Sequence, residues 1–190
     1  MHKVAYKKRL RIMSLAHAIL ASLIDDSCSG YTLAKQFDGS VGFFWQASHQ
    51  QIYRELSKLD KLGWIVPEMI TQEGKPDKKV YSVTQAGKLK LQEWIAQPCE
   101  PMQVKDDLLV KIFSGYIVSE QTILQQLEHH RQAHIEKLST YRNLEQKYFQ
   151  NPQQLSQSAK FQYLTLRKGI RYETQWVEWC NEAMELLNKN

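Results

Sequence analysis

Apolar residues recur along the first hundred positions at two different periods, and the switch between them predicts the order of elements. In SLAHAILASLIDD, Leu15, Ile19, Leu20 and Leu23 fall on one stripe of a helix that Ser14 is placed to cap. SCSG interrupts the pattern, and YTLAKQF resumes it as a short second helix ending near Asp38 and Gly39. VGFFWQA follows, apolar and aromatic, with Phe43, Phe44 and Trp45. A third helix begins after Ser48. Its Ile52, Leu56, Leu59 and Leu62 are spaced four, three and three apart, which is one buried face. Gly63 stops it, because glycine accepts a left-handed backbone without steric cost. The pattern then becomes that of a strand from Trp64 to about Ile70. TQEGKPDKK supplies turn residues in Gly74, Pro76 and Asp77, and KVYSVT returns as a second strand. Thr84 caps a fourth helix, QAGKLKLQEWIAQ, which ends before Pro98.

Helix, helix, helix, strand, basic turn, strand, helix is the layout of a winged helix-turn-helix. Pro98 and Pro101 mark its boundary. The predicted organisation is a basic arm over residues 1–13, the winged helix over 14–97, a linker over 98–103 and a helical domain over 104–190. DDLLVKIFSGYIV predicts an apolar-rich helix opening on Asp106 and Asp107, where carboxylates favour the positive end of the dipole. EQTILQQLEHHRQAHIEKLSTYRNLEQKYF predicts a long polar helix, Asn151-Pro152 a turn, and the stretch from about Leu155 to Leu187 a last long helix. There Tyr163, Leu166, Ile170, Glu173, Val177, Cys180, Met184 and Leu187 follow steps of three and four, a coiled-coil or bundle seam in which only Glu173 is clearly polar. In the preceding helix Leu124, Leu127, Leu138, Tyr141 and Tyr148 share a seam that Arg131, His134 and Glu145 interrupt. The fold class is mainly α with a small β-hairpin: a winged helix-turn-helix and a coiled-coil-like dimerisation domain. Leu166, Ile170, Val177, Cys180, Met184 and Leu187 are the predicted dimer interface.

Composition changes this picture little. The 190 residues are 43% apolar and 24% charged, ordinary for a soluble globular protein. No run approaches the 18 apolar residues of a membrane-spanning helix, and no apolar stretch follows the basic MHKVAYKKRLR, so no membrane partner and no secretory signal are expected. Cys28, Cys99 and Cys180 are far apart and in no CxxC pair, which fits a reducing cytoplasm rather than a disulfide framework or zinc finger. Charge changes the picture more. The net value is +5; residues 1–97 hold 14 Lys and Arg against 9 Asp and Glu, and residues 98–190 hold 11 of each. A basic half joined to a neutral half fits a polyanion-binding module attached to something else, although an uneven solvated surface gives the same count.

The third helix carries the candidate chemistry. In a helix-turn-helix the second helix of the unit enters the major groove with its first residues facing base edges. Ser48, His49, Gln50, Gln51 and Arg54 supply donors and acceptors there, and Gln bonds adenine through two contacts. Lys58, further along, faces phosphate or solvent. Lys75, Lys78 and Lys79 at the hairpin tip are placed to touch phosphates or the minor groove, which gives register rather than sequence. Any one of these residues reads equally well as solvated surface; the ordered combination points to double-stranded DNA as partner.

Three stretches, SLAHAILASLIDDSCSGYTLAKQF, WQASHQQIYRELSKLDKLGWIV and GKPDKKVYSVTQAGKLKLQEWI, resemble the PadR family of bacterial transcriptional regulators. The specific marks are Gly30-Tyr31, QIYREL with Tyr53, Leu59 with Leu62-Gly63, and Val80-Tyr81 through Thr84-x-Ala86-Gly87. DDLLVKIFSG and the two long helices are similar to the C-terminal domain of the virulence-activator-like branch. The resemblance implies a homodimer clasped by its C-terminal helices, DNA binding by helix three and the wing, and Tyr53 near the DNA backbone or the base of the helix. A half-buried core tyrosine is the other reading of Tyr53, and Trp45 and Trp94 read as core. The arm, with Lys3, Lys7, Lys8, Arg9 and Arg11, precedes the family's common start.

Other chemistries are weaker. His130 and His134, with His129 adjacent, offer two metal-compatible histidines on one helix face but no evident third ligand, and a polar helix face is the more common explanation. No Walker loop, G-x-S-x-G or dinucleotide fingerprint is present, so no cofactor and no enzyme activity are expected. Tyr116, Tyr163, Trp176 and Trp179 fit either a cleft for a small aromatic effector or bundle packing. The sequence therefore describes a cytoplasmic, dimeric regulator reading an inverted repeat, with repression the default. Its rival is a winged-helix assembly module without specific DNA binding.

Overall fold

The computed structural model describes residues 15–39, 45–72, 74–99, 101 and 105–188, with Asp38, Gly39, Lys75 and Pro76 described by backbone only. The predicted cap Ser14, the basic arm, and Phe43 and Phe44 lie outside the described residues. The chain divides into two compact units, Met1–Pro101 and Met102–Asn190.

In the first unit, helix α1 covers residues 15–23. It is followed by strand β1 (Cys28–Ser29), helix α2 (Gly30–Gly39), helix α3 (His49–Lys61), strands β2 (Ile65–Gln72) and β3 (Lys75–Val83), and helix α4 (Gln85–Ile95). Ile19, Leu20, Leu33, Ile52, Leu56 and Leu59 are fully buried where the first three helices meet, and Ile65, Tyr81 and Leu91 extend that core. Trp45, Trp64 and Trp94 pack against its edge. His17 belongs to this core as well, stacked on the Trp94 indole at 4.6 Å between ring centres. The sequence pattern left His17 off the apolar stripe because its type is polar.

The sheet departs from the two-stranded expectation. It has three antiparallel strands in the order β1-β3-β2, with Cys28 opposite Tyr81 and Ser29 opposite Val80. Two residues are too few to show a period, so SCSG read only as a break. The hairpin is also longer than expected. Gln72 pairs with Lys75, Ile70 with Lys78 and Met69 with Lys79, so the turn narrows to the residues around Gly74.

In the second unit, helix α5 (Asp107–Phe113) is capped by Asp106, whose carboxylate accepts from the Leu108 amide at 2.8 Å. The expected longer helix through Val118 stops at Ser114, and a 3-10 turn covers Gly115–Ile117. Helices α6 (Glu120–Tyr148) and α7 (Gln157–Leu187) form a hairpin across a short 3-10 turn at Pro152–Gln154. At 29 and 31 residues they are each about 45 Å long.

The predicted α7 seam faces α6 of its own chain. Cys180 is fully buried with Ile123 and Leu127, and Met184 and Leu187 pack on the same cluster. Ile170 is buried too, and Val177 borders a groove with Leu138. A strong seam on one helix of a hairpin is satisfied first by the helix beside it, and Ile170 and Cys180 are buried in that way. Three of the polar residues that broke the seams find partners across the hairpin. His134 hydrogen-bonds buried Glu173 through Nδ1, and its ring stacks on Trp176 at 4.9 Å. Glu145 accepts from Arg167 at 2.9 Å and from Tyr163 at 3.1 Å.

Candidate nucleic-acid interface

Helix α3 is locked at both ends by its own residues. Ser48 is the N-cap: its Oγ accepts from the Gln51 amide at 3.3 Å, and the Ser48 amide donates to Gln51 Oε1 at 2.8 Å. This reciprocal capping box satisfies two backbone donors that no helix turn can reach. At the other end Gly63, at φ +69°, donates to the Asp60 carbonyl, and Trp64 donates to Leu59. This is the Schellman arrangement, and it turns the chain directly into β2.

Two further glycines set the frame by close approach. A Cβ at Gly30 would lie 2.6 Å from the Tyr53 ring, so the start of α2 makes room for that tyrosine. A Cβ at Gly87 would lie 2.1 Å from the Trp64 carbonyl oxygen. Thr84 completes that joint, with its hydroxyl donating to the Gly63 carbonyl at 2.6 Å and accepting from the Gly87 amide at 3.1 Å. The motif Thr84-x-Ala86-Gly87 is thus the seat on which the end of α3 and the start of the wing rest.

The exposed face of α3 carries His49, Gln50, Tyr53, Arg54 and Lys58, opposite buried Ile52, Leu56 and Leu59. Arg54 donates to Gln50 Oε1 at 3.4 Å, one turn away. Lys58 pairs with Glu55 at 2.9 Å. Tyr53 is 45% exposed while its ring covers Gly30, so it is at once surface and support. Ser48 and Gln51 are exposed but engaged with each other in the capping box, which the sequence reading missed although S-x-x-Q is its signature.

The wing lysines lie on strand β3 rather than in the turn. Lys78 is exposed, and Lys79 sits 4.0 Å from Asp60 of α3 with its ammonium 5.4 Å from the centre of the Tyr81 ring. That ion pair is long and half exposed, so it holds Lys79 only weakly. Burial raises the Cys28 thiol above its ordinary pKa, the largest effect, and nearby Lys78 opposes it.

In the second unit the candidate effector aromatics do not converge. Tyr116 is 88% exposed, Trp176 and Trp179 meet edge to face at 5.4 Å, and Tyr163 stands beside Phe149. Tyr163 and Trp176 are about 20 Å apart along α7. His134 is engaged by Glu173, and no cluster of three metal-compatible side chains occurs among the described residues. His130 is held below its ordinary pKa, first by burial. No described helix is long and apolar enough to cross a membrane.

A winged helix with an exposed polar helix face, joined to a long helical hairpin, defines a class of two-domain winged-helix regulators. Residues 19–93 match the transcriptional regulator PadR-like family, and residues 104–188 match the virulence activator alpha C-terminal model. A Mycobacterium tuberculosis protein named as a probable transcriptional regulator, Rv1176c, is 38% identical over 93% of this chain and 99% of its own. The Bacillus subtilis PadR structure in complex with operator DNA superposes with a TM-score of 0.81 at 30% identity, covering 92% of this chain and 99% of that one. The Vibrio cholerae virulence activator AphA gives a TM-score of 0.74 at 33% identity, covering 92% and 98%. Bacillus subtilis PadR has also been solved with p-coumaric acid, at 27% identity and a TM-score of 0.75, covering 94% and 98%. The chain belongs to the PadR-like family of transcriptional regulators.

Proposed function

We propose that this regulator binds an inverted-repeat operator as a homodimer, with one α3 and one wing on each half-site, and represses by occupying its promoter. The observation that carries this reading is the exposed face of α3, held at both ends and flanked by the lysine-bearing strand β3. His49, Gln50 and Arg54 face base edges; Tyr53, Lys58, Lys75, Lys78 and Lys79 take the phosphate backbone. The operator complex of the Bacillus subtilis relative supports the same use of this fold. The activity is regulatory rather than enzymatic, and its setting is the cytoplasm.

With Ile170 and Cys180 buried within the chain, the second copy meets the half-buried Leu166, Val177, Met184 and Leu187 together with exposed apolar side chains. The exposed ones are Val110, Phe113, Tyr116 and Ile117 at one end of the helical unit and Phe161 and Leu164 on α7. A small aromatic effector is part of the proposal, supported by the p-coumaric acid complex of the relative. The test is fluorescence anisotropy on the protein's own upstream region. Arg54→Ala, or alanine at Lys75, Lys78 and Lys79 together, is expected to abolish competitor-resistant binding. Indifference to both sets would favour the assembly-module reading.

A further inference from the structure

We propose that α3 reads DNA through a linked pair, Gln50 and Arg54, directed at a guanine-containing step, and that Ser48 and Gln51 build the helix end and read no base. This rests on the operator-binding function proposed above and assigns its sequence preference to particular side chains.

Ser48 and Gln51 each hold the other's backbone amide, so moving either side chain onto a base edge would open the first turn of the helix they cap. Gln50 and Arg54 have no such duty. They lie four residues apart on the exposed face, about 6 Å along the axis, a span that reaches neighbouring base pairs.

Their mutual bond sets what the arginine meets. Arg54 Nη2 donates to Gln50 Oε1 at 3.4 Å, which braces the guanidinium from one turn away and takes up one of that oxygen's two lone pairs. A guanidinium has donors only, so Arg54 fits an edge that presents acceptors. Guanine presents two, O6 and N7, in the spacing a guanidinium spans. Cytosine and adenine each present an amino donor that Arg54 cannot accept. Gln50 keeps a donor and a free lone pair for the neighbouring base.

The experiment is selection of binding sites from a randomised duplex pool by the full-length protein, sequenced after enrichment. It compares the natural chain with Arg54→Ala, Gln50→Ala and Gln51→Glu, and each variant is melted by circular dichroism to confirm folding. The natural chain is expected to enrich a guanine in each half-site. Arg54→Ala is expected to lose that preference by roughly 10- to 100-fold, and Gln50→Ala to relax the adjacent position. Gln51→Glu is expected to keep both the motif and the melting temperature, because a capping box accepts Glu as well as Gln. Adenine in place of guanine at the Arg54-dependent position would overturn the inference. So would a motif that changes with Gln51→Glu and not with Arg54→Ala. If the natural chain enriches nothing, the operator-binding function itself fails, an outcome distinct from either of these.

Discussion

At the scale of single residues, the family marks turn out to be points of close packing. Gly30 and Gly87 are both places where a Cβ would collide, but with different neighbours. Gly87 faces the Trp64 carbonyl, part of the backbone, so Gly87→Ala is expected to destabilise the winged helix by about 1–3 kcal/mol, read by thermal denaturation. Gly30 faces the ring of Tyr53, a half-exposed side chain that can swing away. Gly30→Ala is therefore expected to keep most of the stability while displacing Tyr53 and weakening DNA binding. Equal stability loss in both variants would contradict this. Ser48→Ala removes the cap and is expected to cost about 1 kcal/mol by the same melt. A melt unchanged from the natural chain would show that the capping box contributes little.

At the scale of elements, the apolar periods located all four helices of the first unit and both long helices of the second, because each buries a stripe that recurs every three or four residues. β1 was illegible because it is two residues long and exists only through its pairing with β3. The end of α5 at Ser114 was illegible because the apolar run continues past it: Tyr116, Ile117 and Val118 are exposed rather than part of a helical face. Of the candidate site, residue types were legible and their duties were not, since Ser48 and Gln51 suit a cap and a base edge equally. The α7 seam showed that a partner helix exists without showing whose it is. Its polar member Glu173 is matched by His134 of α6, and both side chains are almost fully buried. Removing one partner leaves a buried polar atom of the other without its hydrogen bond, so Glu173→Leu alone should destabilise by about 1–3 kcal/mol. Glu173→Leu with His134→Leu together should recover most of that loss. Additive losses in denaturant melts would mean the pair is not coupled.

At the scale of the whole molecule, the charge count bears on how DNA is engaged. Residues 14–97 hold nine Lys and Arg against nine Asp and Glu, so the excess of the first half resides entirely in Lys3, Lys7, Lys8, Arg9 and Arg11. The winged helix by itself is balanced, so the arm adds positive charge beyond that of the wing lysines. Deleting residues 2–11 is expected to weaken binding and to flatten the dependence of log K on log salt by roughly 0.9 for each phosphate that the arm neutralises. Unchanged affinity at two salt concentrations would remove the arm from the interface. The most direct test of the central claim is a footprint on the protein's own upstream region, taken across a salt titration with unrelated competitor DNA present. An operator-binding dimer predicts saturable protection that survives competitor, falls steeply with salt and shows two-fold symmetry, with half-site centres about one or two helical turns apart. Protection without symmetry, or none at low salt, would contradict it.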